Sequence, residues 1–116
     1  MNNRISTTLV FTSILAVALT GCSSSASIAG TWSASDGTQA KVIGDNGDCS
    51  GMYYNGGRVL DIGGAETCTL SSSQTNGYYS LVVRQAPNQM TYQAKIDGGT
   101  MTLSVGGATV VTLTKQ

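Results

Sequence analysis

Residues 78–115 read YYSLVVRQAPNQMTYQAKIDGGTMTLSVGGATVVTLTK, and this stretch decides the fold. Tyr79, Leu81 and Val83 fall on one face of an extended chain, with Tyr78, Ser80 and Arg84 opposite; only Val82 breaks the polar face. Met90, Tyr92, Ala94 and Ile96 then alternate with Thr91, Gln93, Lys95 and Asp97. Met101, Leu103 and Val105 alternate with Thr100, Thr102 and Ser104. In the last run, Val111 and Leu113 share a face and Val110 takes the other. Pro87-Asn88, Asp97-Gly98-Gly99 and Gly106-Gly107 separate these runs, and each suits a tight hairpin. Four antiparallel strands with one apolar and one wet face are expected.

Working back toward the N-terminus, turn signals recur at Asp36-Gly37, Asn46-Gly47, Asn55-Gly56-Gly57, Gly63-Gly64 and Asn76-Gly77. The runs between them are less regular. They place strands at about 28–34, 38–44, 49–54, 58–62 and 66–71. No sustained apolar period of 3.6 residues occurs beyond Ile28. The expected fold is therefore all-β: a small antiparallel up-and-down barrel of eight or nine short strands, with a two-sheet sandwich as the alternative. A domain of this size expects its interior to be filled with side chains rather than a large cavity.

The chain has 116 residues, with six basic and six acidic ones, 15 glycines, one proline and no histidine. The balanced charge provides neither a footprint for nucleic acid nor a polybasic patch for anionic lipid. Arg4 is the one charge before Asp36, and Ile5 to Leu19 is apolar with small hydroxyls mixed in. That is the length of a signal-peptide core and short for a bilayer span. Leu19-Thr20-Gly21-Cys22 follows, and a Ser-rich run begins at Ser23.

These four residues resemble the lipobox of bacterial lipoproteins, in which the cysteine is lipidated and becomes the first mature residue. The resemblance implies a signal peptide at 1–21, a lipid-bearing Cys22 with a flexible tether over 22–27, and a folded domain at 28–116. It implies anchoring at the cell membrane or outer membrane, on the extracytoplasmic face. Two or three acyl chains hold a protein firmly where one does not. Cys49 and Cys68 then remain as an even pair, expected to be oxidised outside the cytoplasm. Two thiols without histidine do not complete a closed zinc site. Gly30-Thr31-Trp32 resembles the Gly-x-Trp that opens the first strand of lipocalins and other calycin-like barrels, where the Trp closes one barrel end.

Catalytic chemistry is thinly provided. Without histidine there is no Ser–His or Cys–His pair. Asp36, Asp45, Asp48 and Asp97 stand in turn motifs, and Asp61 and Glu66 flank Gly63-Gly64, read as solvated hairpin residues with a carboxylate pair of the glycosidase kind as the alternative. The run at 44–50, GDNGDCS, lacks the spacing and distant Glu of a calcium loop. No cofactor, metal or catalytic residue is expected, and the protein reads as no enzyme. Tyr53-Tyr54 and Tyr78-Tyr79 are adjacent pairs, so in strands one of each must face outward. Tyr78 and Arg84, then Tyr53, form the expected contact surface, tyrosine and arginine being enriched in binding hot spots. The expected function is a membrane-anchored binding module for an envelope protein or small ligand. The alternatives are an inhibitor of a secreted enzyme and a small lipocalin-like carrier.

Overall fold

The computed structural model describes residues 27–116, and the chain is all-β over that range. Ten strands form: β1 (Gly30–Ala34), β2 (Lys41–Ile43), β3 (Cys49–Ser50), β4 (Tyr54–Asn55), β5 (Arg58–Val59), β6 (Thr67–Leu70), β7 (Tyr79–Gln85), β8 (Asn88–Asp97), β9 (Thr100–Val105) and β10 (Ala108–Lys115). Eight of them make one antiparallel sheet in the order β3-β2-β1-β10-β9-β8-β7-β6. Each strand lies beside its sequence neighbour, and β1 pairs with β10, aligning Trp32 with Lys115 and Ala34 with Leu113. This is the up-and-down meander, curled until its two edges face one another.

The edges meet between β3 and β6. Asp48 and Thr67 form a single bridge there. Cys49 N donates to the Glu66 carbonyl at 3.0 Å, and Cys68 N donates to the Gly47 carbonyl at 2.8 Å. The Cys49–Cys68 disulfide spans the same place, with Cα atoms 5.9 Å apart. The barrel is thus all but closed, and no sandwich forms. Closure removes the unpaired edges on which another chain could pair.

The expected C-terminal strands form nearly as read. Leu81, Val83, Tyr92, Ala94, Met101, Leu103, Val111 and Leu113 all point into the core. Gly106 and Gly107, at φ 59° and 82°, supply the two left-handed residues of a type I′ hairpin between β9 and β10. One detail differs. A bulge in β10 between Thr109 and Val111 shifts the register against β9. At that end Ser104 is buried and Val105 is exposed, the reverse of the simple alternation.

The N-terminal half departs further. The expected strand at 49–54 breaks into β3 and β4, and β5 pairs with β4 rather than with the barrel. Residues 51–66 are therefore an insertion between two barrel strands, and Gly63-Gly64 does not join a hairpin pair. Trp32 is buried; its Nε1 donates to the Ile28 carbonyl at 2.9 Å, and the Lys115 ammonium lies 5.6 Å from its ring centre. A Cβ on Gly30 would stand 2.9 Å from Lys115 Cε, so the glycine leaves the lysine its path over the indole.

In a meander, alternate connections lie at opposite ends. The start of β1, the 44–48 and 71–78 loops, and Gly98-Gly99 share one end, the entry end. The 35–40 loop, the 51–66 insertion, Ala86-Pro87 and Gly106-Gly107 share the other, the capped end.

Candidate functional site

The insertion is held over the capped end by side chains from distant strands. Met52, Tyr53 and Tyr54 are all buried. Tyr54 N donates to the Tyr92 hydroxyl at 2.7 Å, and that hydroxyl reaches back toward the Tyr54 carbonyl at 3.5 Å. The Tyr54 hydroxyl donates to Asp36 Oδ2 at 2.8 Å. Asp36 Oδ1 meanwhile accepts from Thr38 N at 3.1 Å and Thr38 Oγ1 at 2.6 Å. Asp36 thus ties the β1–β2 loop to the insertion. On the far side, Gln85 Nε2 donates to Asp61 Oδ1 at 3.1 Å, and Gly63 N donates to the same oxygen at 2.9 Å.

Beneath this cap lies a cluster of titratable groups. Lys41 is inward-facing because Val42 takes the outer face of β2; it is 2% exposed. Its ammonium sits 5.2 Å from the Tyr54 ring centre, within range of a cation–π contact. Burial lowers its pKa, against the pull of the Asp36 and Glu66 carboxylates. Burial raises the Glu66 pKa, although Met52 N donates to its Oε1 at 2.7 Å. Burial alone would raise Asp36 as well, but the Thr38 and Tyr54 hydrogen bonds and the Lys41 charge hold it below its ordinary value. Burial pushes the Tyr92 phenol up to about 12 and the Tyr54 phenol higher still. Both tyrosines are neutral donors at physiological pH.

Cys49, Cys68 and Glu66 also come together, with their possible metal-ligating atoms within 4.8 Å of one another. Cys49 Sγ lies 3.7 Å from Glu66 Oε1. With both sulfurs in the disulfide there is no thiol proton to donate, so this is a packing contact. The thiolate that a soft metal needs is absent while the bridge stands.

The sequence-predicted site residues do not converge. Cys22 lies outside the described residues. Tyr53 is only 7% exposed, against the expectation that it faces outward. The premise failed because residues 51–53 are not strand, so the two-residue alternation does not apply to them. Tyr78 is exposed, in a turn closed by Thr75 N donating to the Tyr78 carbonyl at 2.8 Å. Arg84 is exposed and on the same outer side of the chain. Six residues of extended backbone separate the two by roughly 20 Å. Tyr78 stands at the entry end and Arg84 near the capped end, so they do not make one contact pair.

Glu66 is buried rather than solvated, which corrects its reading as a hairpin residue. Asp45, Asn46 and Asp48 form a self-satisfied turn. There Asn46 Nδ2 donates to Asp48 Oδ2 at 2.9 Å, and Asp48 N donates to Asn46 Oδ1 at 3.1 Å. Lys41, Tyr54, Gln85 and Tyr92 were not singled out from the sequence as site residues. The signal for Lys41 was its position two residues from Ile43, on the inner face of a short strand. No protein-family model, curated protein or solved structure matches this chain.

Proposed function

We propose that the protein is a membrane-anchored, non-enzymatic binding module of a bacterial cell envelope, engaging its partner with the capped end of the barrel. The observation that carries this reading is the 51–66 insertion. It is fastened over the barrel end opposite the start of β1, and it leaves Leu60 and Ile62 exposed. Val105, also exposed, ends β9 at the same end. An anchor at Cys22 would place the membrane on the entry side and leave the cap free to meet a partner. The barrel interior is filled by Trp32, Tyr92, Leu81, Leu103 and their neighbours, which speaks against a carrier that holds a ligand inside. Inhibition of a secreted enzyme is a special case of the same reading, with an enzyme as the partner.

Two measurements test it. Cys22→Ala should abolish fatty-acid labelling and release the protein from the membrane fraction; unchanged labelling would remove the anchor. In-cell cross-linking of the full chain should lose its specific adduct when Leu60 and Ile62 are both changed to Ser. The same adduct should survive Tyr78→Ala. The opposite pattern would move the contact surface to the entry end.

A further inference from the structure

A pocket of about 340 Å³ opens beside the cap, lined by Thr38, Gln39, Lys41, Ser50, Gly51 and Asp61 among others. Small-molecule sites begin at about this size. Lys41 is the unusual member, since a lysine 2% exposed ordinarily has a carboxylate partner. Among the described residues its ammonium has no ion pair, and every fully enclosed polar side-chain atom has a hydrogen-bond partner. The ammonium therefore retains its access through the pocket. Gly51 keeps that access open: a Cβ there would stand 3.3 Å from Lys41 Nζ.

The surroundings select the chemistry of an occupant. The carboxylates nearby already accept protein hydrogen bonds, Asp36 from Thr38 and Tyr54, Glu66 from Met52 N, and Asp61 through Oδ1 from Gly63 and Gln85. The ammonium needs an acceptor. An anion would meet the Asp61 carboxylate on the lining and the charges of Asp36 and Glu66 that act on Lys41, and a cation would meet Lys41 itself. A neutral group avoids both penalties. Gln39, Ser50 and Asp61 add further polar residues to the lining. Sugar hydroxyls both donate and accept, so one saccharide unit can serve an ammonium and a carboxylate on the same lining.

We propose that this pocket binds a neutral saccharide unit, with Lys41 donating to one ligand oxygen and Asp61 accepting from another hydroxyl of the same unit. This rests on the capped end being the binding face and names the ligand chemistry there. The unit is either a free sugar or the end of an envelope glycan. The test is an amide-shift titration of the full chain in micelles of a detergent without a sugar headgroup. The soluble probes are maltose, N,N′-diacetylchitobiose and digalacturonic acid. Co-sedimentation with insoluble glycan is the polymer arm.

At least one neutral disaccharide should give saturable shifts at Lys41, Gly51 and Asp61, and the acidic one should bind more weakly. Lys41→Met should weaken binding about tenfold or more, the effect of losing a hydrogen bond from a charged donor. Asp61→Asn, on an exposed side chain that keeps its Oδ1 acceptor, should weaken it less and leave the rest of the spectrum unchanged. Binding of soluble disaccharide assigns a free sugar as sufficient; sedimentation with glycan together with the same shifts assigns a chain end. No saturable shift at the pocket for either neutral disaccharide, together with no sedimentation, overturns the proposal. So does stronger binding of digalacturonic acid. If the cross-linked adduct is lost on changing Leu60 and Ile62, as expected, while every sugar fails, the capped end stands as the binding face and the saccharide assignment alone falls.

Discussion

The four C-terminal strands and the N-terminal half solve the same closure problem by different means. Strands β7 to β10 run 6 to 10 residues each and are joined by two-residue loops. Their hydrogen bonds are a continuous ladder between sequence neighbours, and their apolar residues alternate. In the N-terminal half, β2 to β5 have two or three residues each. Too little ladder exists there to hold the chain. Order comes instead from long-range side-chain bonds: Tyr92 to Tyr54, Tyr54 to Asp36, Gln85 to Asp61, and the disulfide. Local patterning suffices where neighbours in sequence pair in space, and it fails where residues tens of positions apart must meet.

Removing the disulfide is the strongest way to break this contrast. Cys49→Ser with Cys68→Ser frees a loop of 19 residues' separation and should cost about 3 kcal/mol by chain entropy, measured by denaturant unfolding. Amide exchange should accelerate first in β3, β6 and the insertion, while β8 and β9 stay protected. Equal acceleration across the whole barrel would mean that the two halves unfold as one.

Tyr92→Phe tests the side-chain anchor more finely. It leaves the Tyr54 amide without its 2.7 Å acceptor in a buried place and should cost about 1–2 kcal/mol. Exchange at the Tyr54 amide should rise even though Tyr92 itself stands in the well-paired β8. A loss below a few tenths of a kcal/mol would show that another group takes over the acceptor role.

Glu66→Gln should change how stability depends on pH. The native state raises the Glu66 pKa, so it holds that proton more readily than the unfolded chain does. The stability this group contributes is present below the ordinary glutamate value and is lost as pH rises through the raised native value. The glutamine variant keeps an oxygen for Met52 N and has no such loss. Its advantage over the wild type should therefore grow across that window, followed by thermal unfolding at a series of pH values. Asp36, held low, acts in the opposite sense in both proteins and cancels from the difference. A constant difference across the window would show that Glu66 is not the titrating group.

The smallest effects belong on the outer face of the meander. Tyr78→Ala and Arg84→Ala should each change stability by less than about 1 kcal/mol, the range of exposed cross-strand contacts. A larger loss at Tyr78 would show that the 75–78 turn needs the aromatic ring, and the entry end would then depend on side chains as the cap does.

The inward positions of Leu81, Val83, Tyr92, Ala94, Met101 and Leu103 were legible because a two-residue period has one physical cause, the pleat. The Cys49–Cys68 pair was legible once the lipobox resemblance set Cys22 aside. The fate of Tyr53 and Tyr54 was not. Whether adjacent tyrosines split between faces depends on whether the stretch is strand, and that was decided by Tyr92, 38 residues away from Tyr54. Val105 was misplaced for a similar reason, since the bulge belongs to the partner strand.

By itself the sequence determined the all-β class, the hairpins of the C-terminal meander and, the end of β9 apart, which residues line its inner face. These depend on chirality, pleat and turn geometry within about ten residues of chain. Only the tertiary structure decided that the edges meet at β3 and β6, that residues 51–66 leave the sheet to cap one end, and that Lys41 is buried beside Asp36 and Glu66. Each of those outcomes balances desolvation against a partner supplied from elsewhere in the chain. No local pattern encodes the distance at which that partner arrives.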